Sequence, residues 1–177
     1  MKREADLRFK ITMCGDYAVG KTSVCRRFTG KSFKKSYKAT IGVDLYTKVM
    51  NVKNLVVNLQ IWDLGGQARF EQILPSYFRG SNGSLVLFDL TRRETLKSIS
   101  RWLKKVRNTA KSPTSILIGN KADLESLRSI DRSEAKTIQK KLGLEAYLET
   151  SAKENKNIDK AFRTLTEKTI DHIGKAY

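Results

Sequence analysis

Residues 15–22 read GDYAVGKT, a glycine-rich stretch whose spacing G-x4-G-K-T is typical of loops that bind phosphate groups. In such loops successive backbone N–H groups surround the phosphates, and the dipole of the following helix adds positive potential. Lys21 then reaches the terminal phosphates, and the hydroxyl of Thr22 binds Mg²⁺. The stretch therefore predicts a phosphate site, and an ordinary glycine loop is the alternative.

A second stretch, Asn120-Lys121-Ala122-Asp123, follows the apolar run 115–120 and indicates which nucleotide base would bind. The carboxylate of Asp123 can accept hydrogen bonds from both the ring N–H and the exocyclic amine of guanine, whereas adenine offers no such pair. Two bonds to a charged acceptor correspond to a preference on the order of 10²- to 10⁴-fold. Residues 149–153, which read ETSAK, can offer backbone N–H groups to the base oxygen. The alternative is a turn that only caps a helix.

A third stretch, residues 62–67 (WDLGGQ), combines a carboxylate, two glycines and an amide side chain. Asp63 can hold a metal-bound water, and the glycines allow the backbone to approach a phosphate closely. Gln67 can orient an attacking water without being a strong base, which suits phosphoryl transfer through a loose transition state. A strand-end turn with a solvated glutamine is the alternative.

Strands alternate with helices along the whole chain, which predicts a single α/β domain spanning residues 1–177 with a doubly wound sheet. Period-two alternation and short buried runs indicate strands, and apolar residues three or four apart indicate helices. The predicted strands cover 7–13, 44–50, 55–62, 84–89 and 115–120. The predicted helices follow Thr22 and cover 96–110, 133–142 and 158–173.

Composition excludes several classes of protein. No apolar run approaches the roughly 20 residues that cross a bilayer, and the first ten residues lack the apolar stretch of a secretory signal. We therefore expect a soluble, cytoplasmic protein. Cys14 and Cys25 are too few for a disulfide framework and are expected to be packing thiols. His172 is the only histidine, so we expect no zinc site.

The chain is strongly basic, with 35 Lys and Arg against 18 Asp and Glu and a formal charge of +17. Eight basic residues lie between Arg92 and Lys111, where Glu94 is the one acidic residue. They are interpreted as a solvated helix face, or else as a docking surface for an acidic partner. We do not expect nucleic acid as a partner, because the interleaved aromatic residues of such surfaces are missing.

Taken together and in this order, the three stretches resemble the motifs of the Ras superfamily of small GTPases over essentially the whole chain. GDYAVGKT, Thr40, DLGGQ, NKAD and ETSAK correspond to the guanine-nucleotide motifs at the family's usual separations. Residues 41–45, 77–80 and 88–91 look like the Rab branch, whereas residues 63–67 look more like the Arf branch. The resemblance implies a P-loop NTPase fold, in which about five helices flank a six-stranded, mostly parallel sheet that carries two switch loops.

The resemblance also implies a GTP-hydrolysing molecular switch in membrane trafficking or signalling, with GTP or GDP as ligand and Mg²⁺ as cofactor. Gln67 and Lys21 are then the catalytic residues, with a slow intrinsic rate. Thr22 and Thr40 would ligate the metal, and Asp63 would hold it through water. Because the terminal phosphate would hold both switch loops, its removal would release them.

The nucleotide contacts follow from the same resemblance. Phe33 would lie against the base, Tyr37 would close over the phosphates, and the Gly66 N–H would hold the terminal phosphate together with Thr40. The full set of expected contacts is Asp16, Tyr17, Ala18, Val19, Gly20, Lys21, Thr22, Ser23, Phe33, Tyr37, Thr40, Gly66, Asn120, Lys121, Asp123, Ser151, Ala152 and Lys153.

Family members act as monomers that bind effector, exchange-factor and activating proteins through the switch loops, and the resemblance implies the same partners here. Many also carry a lipid, but the second residue is Lys2 and the chain stops at Tyr177 without a terminal cysteine. The expectation is either a truncated chain or a protein without lipid. In the latter case the basic surface assists peripheral contact with an anionic membrane.

Tyr17 departs from the pattern of Ras-like members of the family, which often have glycine at this position, whereas Rab-like members tolerate larger residues. Because backbone groups bind the phosphates, the phenol is expected to project near Gln67, permit GTP binding and hinder an activating protein that inserts an arginine. Packing of the phenol on a switch loop is the alternative. Because of Tyr17, a GTP-binding scaffold module that hydrolyses GTP slowly is an alternative function. A P-loop kinase would share the phosphate loop but would have no use for an NKAD stretch beside DLGGQ.

Overall fold

Six strands build one sheet in the computed structural model, which describes residues 4–34, 39–67, 72–111 and 113–174. They are β1 (Leu7–Cys14), β2 (Val43–Val52), β3 (Leu55–Leu64), β4 (Gly83–Asp89), β5 (Thr114–Asn120) and β6 (Tyr147–Glu149). Their order across the sheet is β2-β3-β1-β4-β5-β6. Neighbouring strands are parallel except for the antiparallel pair β2 and β3. The predicted six-stranded, mostly parallel sheet is therefore confirmed.

Helices cover both faces of the sheet. Within the described ranges they are α1 (Lys21–Phe28), α2 (Leu74–Phe78), α3 (Arg93–Lys97), α4 (Ile99–Thr109), α5 (Arg132–Lys141) and α6 (Ile158–Gly174), with a 3₁₀ turn at Glu125–Leu127. None of these helices has both the length and the apolar composition that a membrane span requires.

The helix predicted over residues 96–110 begins earlier and is divided at Ser98. The N–H of Ser98 donates to the Glu94 carbonyl at 3.1 Å, and the N–H of Trp102 donates to the Ser98 carbonyl at 3.2 Å. The Ser98 hydroxyl also donates to the Glu94 carbonyl, a contact that often bends helices. Since hydrogen bonding continues across the division, α3 and α4 act as one distorted helix, which leaves about five helical units as expected.

The sheet separates two apolar cores, because successive strand residues point to opposite faces. Leu85, Leu87, Ile116 and Ile118 pack on one side with α1 and α6, where the rings of Phe28 and Phe162 stack at 3.7 Å. On the other side Val86, Phe88 and Leu117 pack against α2 to α5. Strands β4 and β5 are buried at every residue, which explains their continuous apolar sequences.

The basic segment between residues 92 and 111 is less free than the sequence suggested, because its arginines have partners within the chain. Arg93 pairs with Glu134 at 2.7 Å, and Arg101 pairs with Asp16 at 3.2 Å. Arg107 donates to the carbonyl groups of residues 142 and 143. Much of this charge therefore fastens α3 and α4 to neighbouring elements.

The topology brings the three sequence stretches to one edge of the sheet. The loop after β1 carries residues 15–20, residues 65–67 follow β3, and the loop after β5 carries residues 121–124, with residues 150–153 after β6 beside them. These strands are parallel, so their carboxyl ends meet at the edge where open α/β sheets bind ligands.

Candidate functional site

A cleft of about 850 Å³ lies at this edge and brings together residues from all three stretches. Its wall includes most of the predicted nucleotide contacts: Tyr17, Ala18, Gly20, Lys21, Thr22, Ser23, Phe33, Thr40, Gly66, Asn120, Lys121, Asp123, Ala152 and Lys153. A volume of this size is typical of sites for small molecules and cofactors.

The phosphate loop, residues 15–20, passes directly from β1 into α1. Gly20 has a φ of +100°, and a Cβ there would lie 2.2 Å from Nδ2 of Asn120, so a side chain does not fit. The first intrahelical bond runs from the Val24 N–H to the Gly20 carbonyl at 3.0 Å. No acidic residue lies in the first turn of α1, so the positive end of its dipole is available to an anion.

Lys21 is buried beneath this loop. Its ammonium donates to the carbonyl groups of Gly15 at 2.7 Å and of Asp16 at 2.9 Å. Burial lowers the pKa of Lys21 from its ordinary value, and the nearby Asp63 carboxylate opposes that shift. Gly66 approaches from β3, since a Cβ there would lie 2.6 Å from the Lys21 Nζ. The ammonium is thus placed where the phosphate loop and the DLGGQ stretch meet.

Three oxygen-bearing side chains form the candidate metal corner. The Thr22 Oγ1 lies 2.7 Å from the Thr40 Oγ1 and donates to the Asp63 Oδ2 at 2.5 Å. The other oxygen of Asp63 is buried and has no hydrogen-bond partner within the described part of the chain. Burial raises the pKa of Asp63 to about 6, against the hydrogen bond from Thr22 and the charge of Lys21. Hard oxygen donors with one unsatisfied carboxylate oxygen fit Mg²⁺.

The base end of the cleft is held by hydrogen bonds between its own side chains. The Ser151 hydroxyl donates to the Asp123 Oδ1 at 2.6 Å, and the Lys153 Nζ lies 4.0 Å from the Asp123 Oδ2. The Asn120 amide donates to the Val19 carbonyl at 3.0 Å and accepts from the Thr150 hydroxyl at 3.0 Å. Asn120 therefore connects the base end directly to the phosphate loop.

Some predicted site residues are not part of the cleft wall, although the contacts predicted for residues 16–23 and 151 would be made by backbone groups. Asp16, Val19 and Ser151 do not line the cleft, because Asp16 faces α4, Val19 is fully buried and Ser151 supports Asp123. Gln67 follows Gly66 and is half-buried, but it does not belong to the cleft wall. Tyr37 lies outside the described residues.

Two residues that sequence reasoning missed support the site from behind. Arg27 on α1 donates to the carbonyl groups of Ala152 at 2.7 Å and of Lys153 at 2.8 Å, which holds the backbone of the ETSAK stretch. The indole N–H of Trp102 donates to the Asp16 Oδ1 at 2.7 Å, which anchors the phosphate loop to α4. The one sequence signal for these contacts was Trp102 itself, a large indole on the apolar side of a basic helix.

The fold and the site together define a small GTPase. The family model described as Ras family matches residues 10–171. The chain therefore belongs to the Ras family.

Its relatives indicate the branch. Ras-related protein RABA2d of Arabidopsis thaliana is 40% identical over 176 residues, which cover 99% of this chain and 81% of that protein. Ras-related protein Rab11C of Lotus japonicus is 43% identical over 172 residues, covering 96% and 78% respectively. Ras-related protein Rab11A of Nicotiana tabacum is 41% identical over 173 residues, covering 97% and 80%. The chain thus lies in the Rab branch, as its 41–45, 77–80 and 88–91 stretches predicted.

Proposed function

We propose that the protein is a molecular switch that binds GTP and GDP with Mg²⁺, hydrolyses GTP and regulates membrane traffic. The observation that carries the proposal is that one cleft joins a phosphate loop, an oxygen-lined metal corner and a base end centred on Asp123. Membership of the Rab branch supports the cellular role.

Each part of the cleft has a role in the proposed reaction. Asp123 accepts the guanine ring N–H and exocyclic amine, while Lys21 and the loop amides bind the phosphates. Thr22 and Thr40 would hold Mg²⁺ directly and Asp63 would hold it through water, and the metal would supply positive charge to the phosphate oxygens. Gln67 orients a water that attacks the terminal phosphorus as the bond to the bridging oxygen breaks, giving GDP and phosphate.

Loss of the terminal phosphate also supplies the switch in this proposal. Thr40 and Gly66 both line the cleft, in the neighbouring segments that precede β2 and follow β3. A ligand held by both segments stabilises one arrangement of the surface that effector, exchange-factor and activating proteins would contact. Hydrolysis removes that common ligand and changes the surface.

Base selectivity provides the test. Competition of GTP, ATP and XTP for the purified protein should show preference for GTP, and Asp123→Asn should exchange this for preference for XTP. We expect the change to be on the order of 10²- to 10⁴-fold. Asp159→Asn is a suitable control, because that carboxylate is 70% exposed on α6 and pairs with Lys48. Equal affinity of the wild-type protein for GTP and ATP would refute the proposal.

A slowly hydrolysing GTP-binding scaffold is the second candidate, and one observation favours it. Tyr17 lines the cleft and is 42% exposed, whereas Gln67 does not line it. A phenol at the phosphate end would hinder the approach of an activating arginine, whose contribution is on the order of a thousandfold or more in rate.

Single-turnover hydrolysis separates the two candidates when it is measured for the wild-type protein and Tyr17→Gly, each with and without an activating protein of the Rab class. If the phenol obstructs the activating arginine, Tyr17→Gly should increase the hydrolysis rate chiefly when the activating protein is present. If Tyr17→Gly and the wild-type protein hydrolysed GTP at equal rates in both conditions, the proposed obstruction by Tyr17 would be refuted.

We further propose that the protein contacts membranes peripherally. The formal charge of +17 supports attraction to anionic lipid, at about 1 kcal/mol for each well-placed cation. Absence of binding to acidic vesicles at physiological salt would count against it.

A further inference from the structure

Asp89 ends β4 beside the cleft, and its side chain is only 1% exposed. One carboxylate oxygen, Oδ1, accepts hydrogen bonds from the backbone N–H of Thr91 at 2.9 Å and from the Thr91 hydroxyl at 2.7 Å. These bonds close the turn that follows the strand, as aspartate side chains commonly do. They account for one of the two carboxylate oxygens.

The second oxygen, Oδ2, contacts two cations. The Arg92 Nε lies at 3.0 Å and the Lys121 Nζ at 2.7 Å. Burial alone would raise the pKa of Asp89, but the hydrogen bonds from Lys121 and Thr91 outweigh it and hold the pKa below its ordinary value. The carboxylate is therefore ionised at neutral pH and is the counter-charge of both cations.

Each cation belongs to a different end of the cleft. Lys121 is the second residue of the NKAD stretch and lines the cleft wall. Arg92 uses its Nη2 to donate to the carbonyl of Tyr17 in the phosphate loop at 2.9 Å. One buried carboxylate thus connects a side chain at the base end with the backbone at the phosphate end.

We propose that Asp89 is a positioning residue for nucleotide retention, which holds Lys121 at the base end and, through Arg92, the phosphate loop at Tyr17. The inference rests on the nucleotide site of the proposed function. Removing the negative charge leaves the two cations close together without a counter-charge, so both ends of the site loosen at once. Faster release of bound nucleotide follows.

An aspartate that only stabilised its turn would behave differently. Its loss would lower the stability of the fold, but release of nucleotide well below the melting temperature would not change. In that case substitutions at Asp89 and Arg92 would also act independently on release. The coupling between the two residues is therefore the diagnostic quantity.

The test measures release of a fluorescent GDP analogue from the Mg²⁺-loaded protein into excess unlabelled GDP. Asp89→Asn should accelerate release by about tenfold to a hundredfold, because charged hydrogen bonds are lost. Arg92→Lys keeps the charge near Asp89 but cannot also reach the Tyr17 carbonyl, so it should accelerate release by about threefold to tenfold. The double variant should release no faster than Asp89→Asn alone.

Arg93→Gln is the matched control, because it removes a neighbouring arginine whose partner is Glu134 on α5. Its release rate should equal that of the wild-type protein. Wild-type release rates in Asp89→Asn and Arg92→Lys, or strictly additive effects in the double variant, would overturn the inference.

If Asp89→Asn does not fold, Arg92→Lys alone decides, since the Arg92 side chain is 35% exposed whereas that of Asp89 is 1% exposed. An unchanged rate in that variant overturns the inference. A wild-type protein that fails to retain the GDP analogue refutes the proposed function instead, so the two failures are distinguishable.

Discussion

The two ends of the cleft differ in how far their polar groups are satisfied by the chain itself. At the base end Asp123 accepts from Ser151, Asn120 bonds to both Val19 and Thr150, and Arg27 fixes the backbone behind them. At the metal corner one oxygen of Asp63 is buried with no partner within the described part of the chain. Lys21 meanwhile binds carbonyl groups of its own loop.

This difference indicates that discrimination between bases takes place at one end of the cleft, whereas the change of stability on ligand binding takes place at the other. A base end whose side chains already hold one another loses little freedom on binding, so its geometry can discriminate between bases. A corner with a buried, unsatisfied carboxylate oxygen is destabilising until a cation meets it. We therefore expect ligand to change stability chiefly through the phosphate and metal end.

The largest expected effect is that of Lys21→Met. The substitution removes the ammonium that would bind the phosphates, and the loss of about two charged hydrogen bonds should weaken nucleotide binding by about 3 to 6 kcal/mol. It removes a buried charge but also two hydrogen bonds to the carbonyl groups of Gly15 and Asp16, so the stability of the protein without nucleotide should change less than its affinity for nucleotide. Titration with a fluorescent GDP analogue and thermal unfolding measure the two quantities.

Lys53→Met is the control for Lys21→Met, because Lys53 lies on the exposed turn between β2 and β3 and pairs with Asp171. It should leave binding unchanged. A loss of stability of the nucleotide-free Lys21→Met protein as large as its loss of affinity would contradict the contrast between the two ends.

The next effect concerns Asp63 in metal-free protein. Its pKa is about 6 in the folded chain against an ordinary 3.8, so between these values the folded state holds a proton that the unfolded state releases. The contribution of Asp63 to stability should therefore fall as the pH rises through this window, by about 3 kcal/mol, against the opposite contributions of Asp89 and Glu149, whose pKa values lie below their ordinary values. Urea unfolding in EDTA from pH 3.5 to 7 measures the change.

Asp63→Asn supplies the comparison for this pH dependence, because it keeps the shape and removes the titration. The stability of the wild-type protein relative to that of Asp63→Asn should fall between pH 4 and 6. Mg²⁺ with GDP should reverse the wild-type trend, since the metal requires the ionised carboxylate. If the stability of both proteins changed with pH in the same way, Asp63 would not be the source of the pH dependence.

The smallest effect is expected at the base end, from Arg27→Gln. Without its two bonds to the carbonyl groups of Ala152 and Lys153, the backbone there is less fixed, and affinity for GDP should fall about tenfold or less. Arg163→Gln removes a similar bond, to the Asn51 carbonyl, away from the cleft and should have no effect on binding. If Arg27→Gln weakened GDP binding as much as Lys21→Met, the two ends of the cleft would not differ in their contribution to affinity.

Much of the fold was predictable because its signals are local. The apolar runs 84–89 and 115–120 gave β4 and β5 within a residue, and the order of motifs placed the cleft at the carboxyl edge. Helix α2 was missed, since its five residues are too few to show a period and begin beside Pro75. The division at Ser98 depends on a side-chain bond that no spacing reveals.

The supporting contacts of the site were not predictable for a different reason. Arg27 and Ala152 are 125 residues apart, and Trp102 and Asp16 are 86 apart. Their meeting depends on how α1 and α4 pack on the sheet, which sequence patterning does not specify. Phe88-Asp89-Leu90-Thr91 was noticed as a branch signature, but its charge partners became visible only in the fold.

The close approach of Gly20 and Asn120 has a consequence for grafting and recombination. The Asn120 amide fills the space that a side chain on Gly20 would need, and it binds Val19 across 101 positions of the chain. In a chimera that takes its glycine loop from a distant homologue and keeps its own NKAD turn, the new loop need not leave space for the Asn120 amide. The two segments have to be exchanged together.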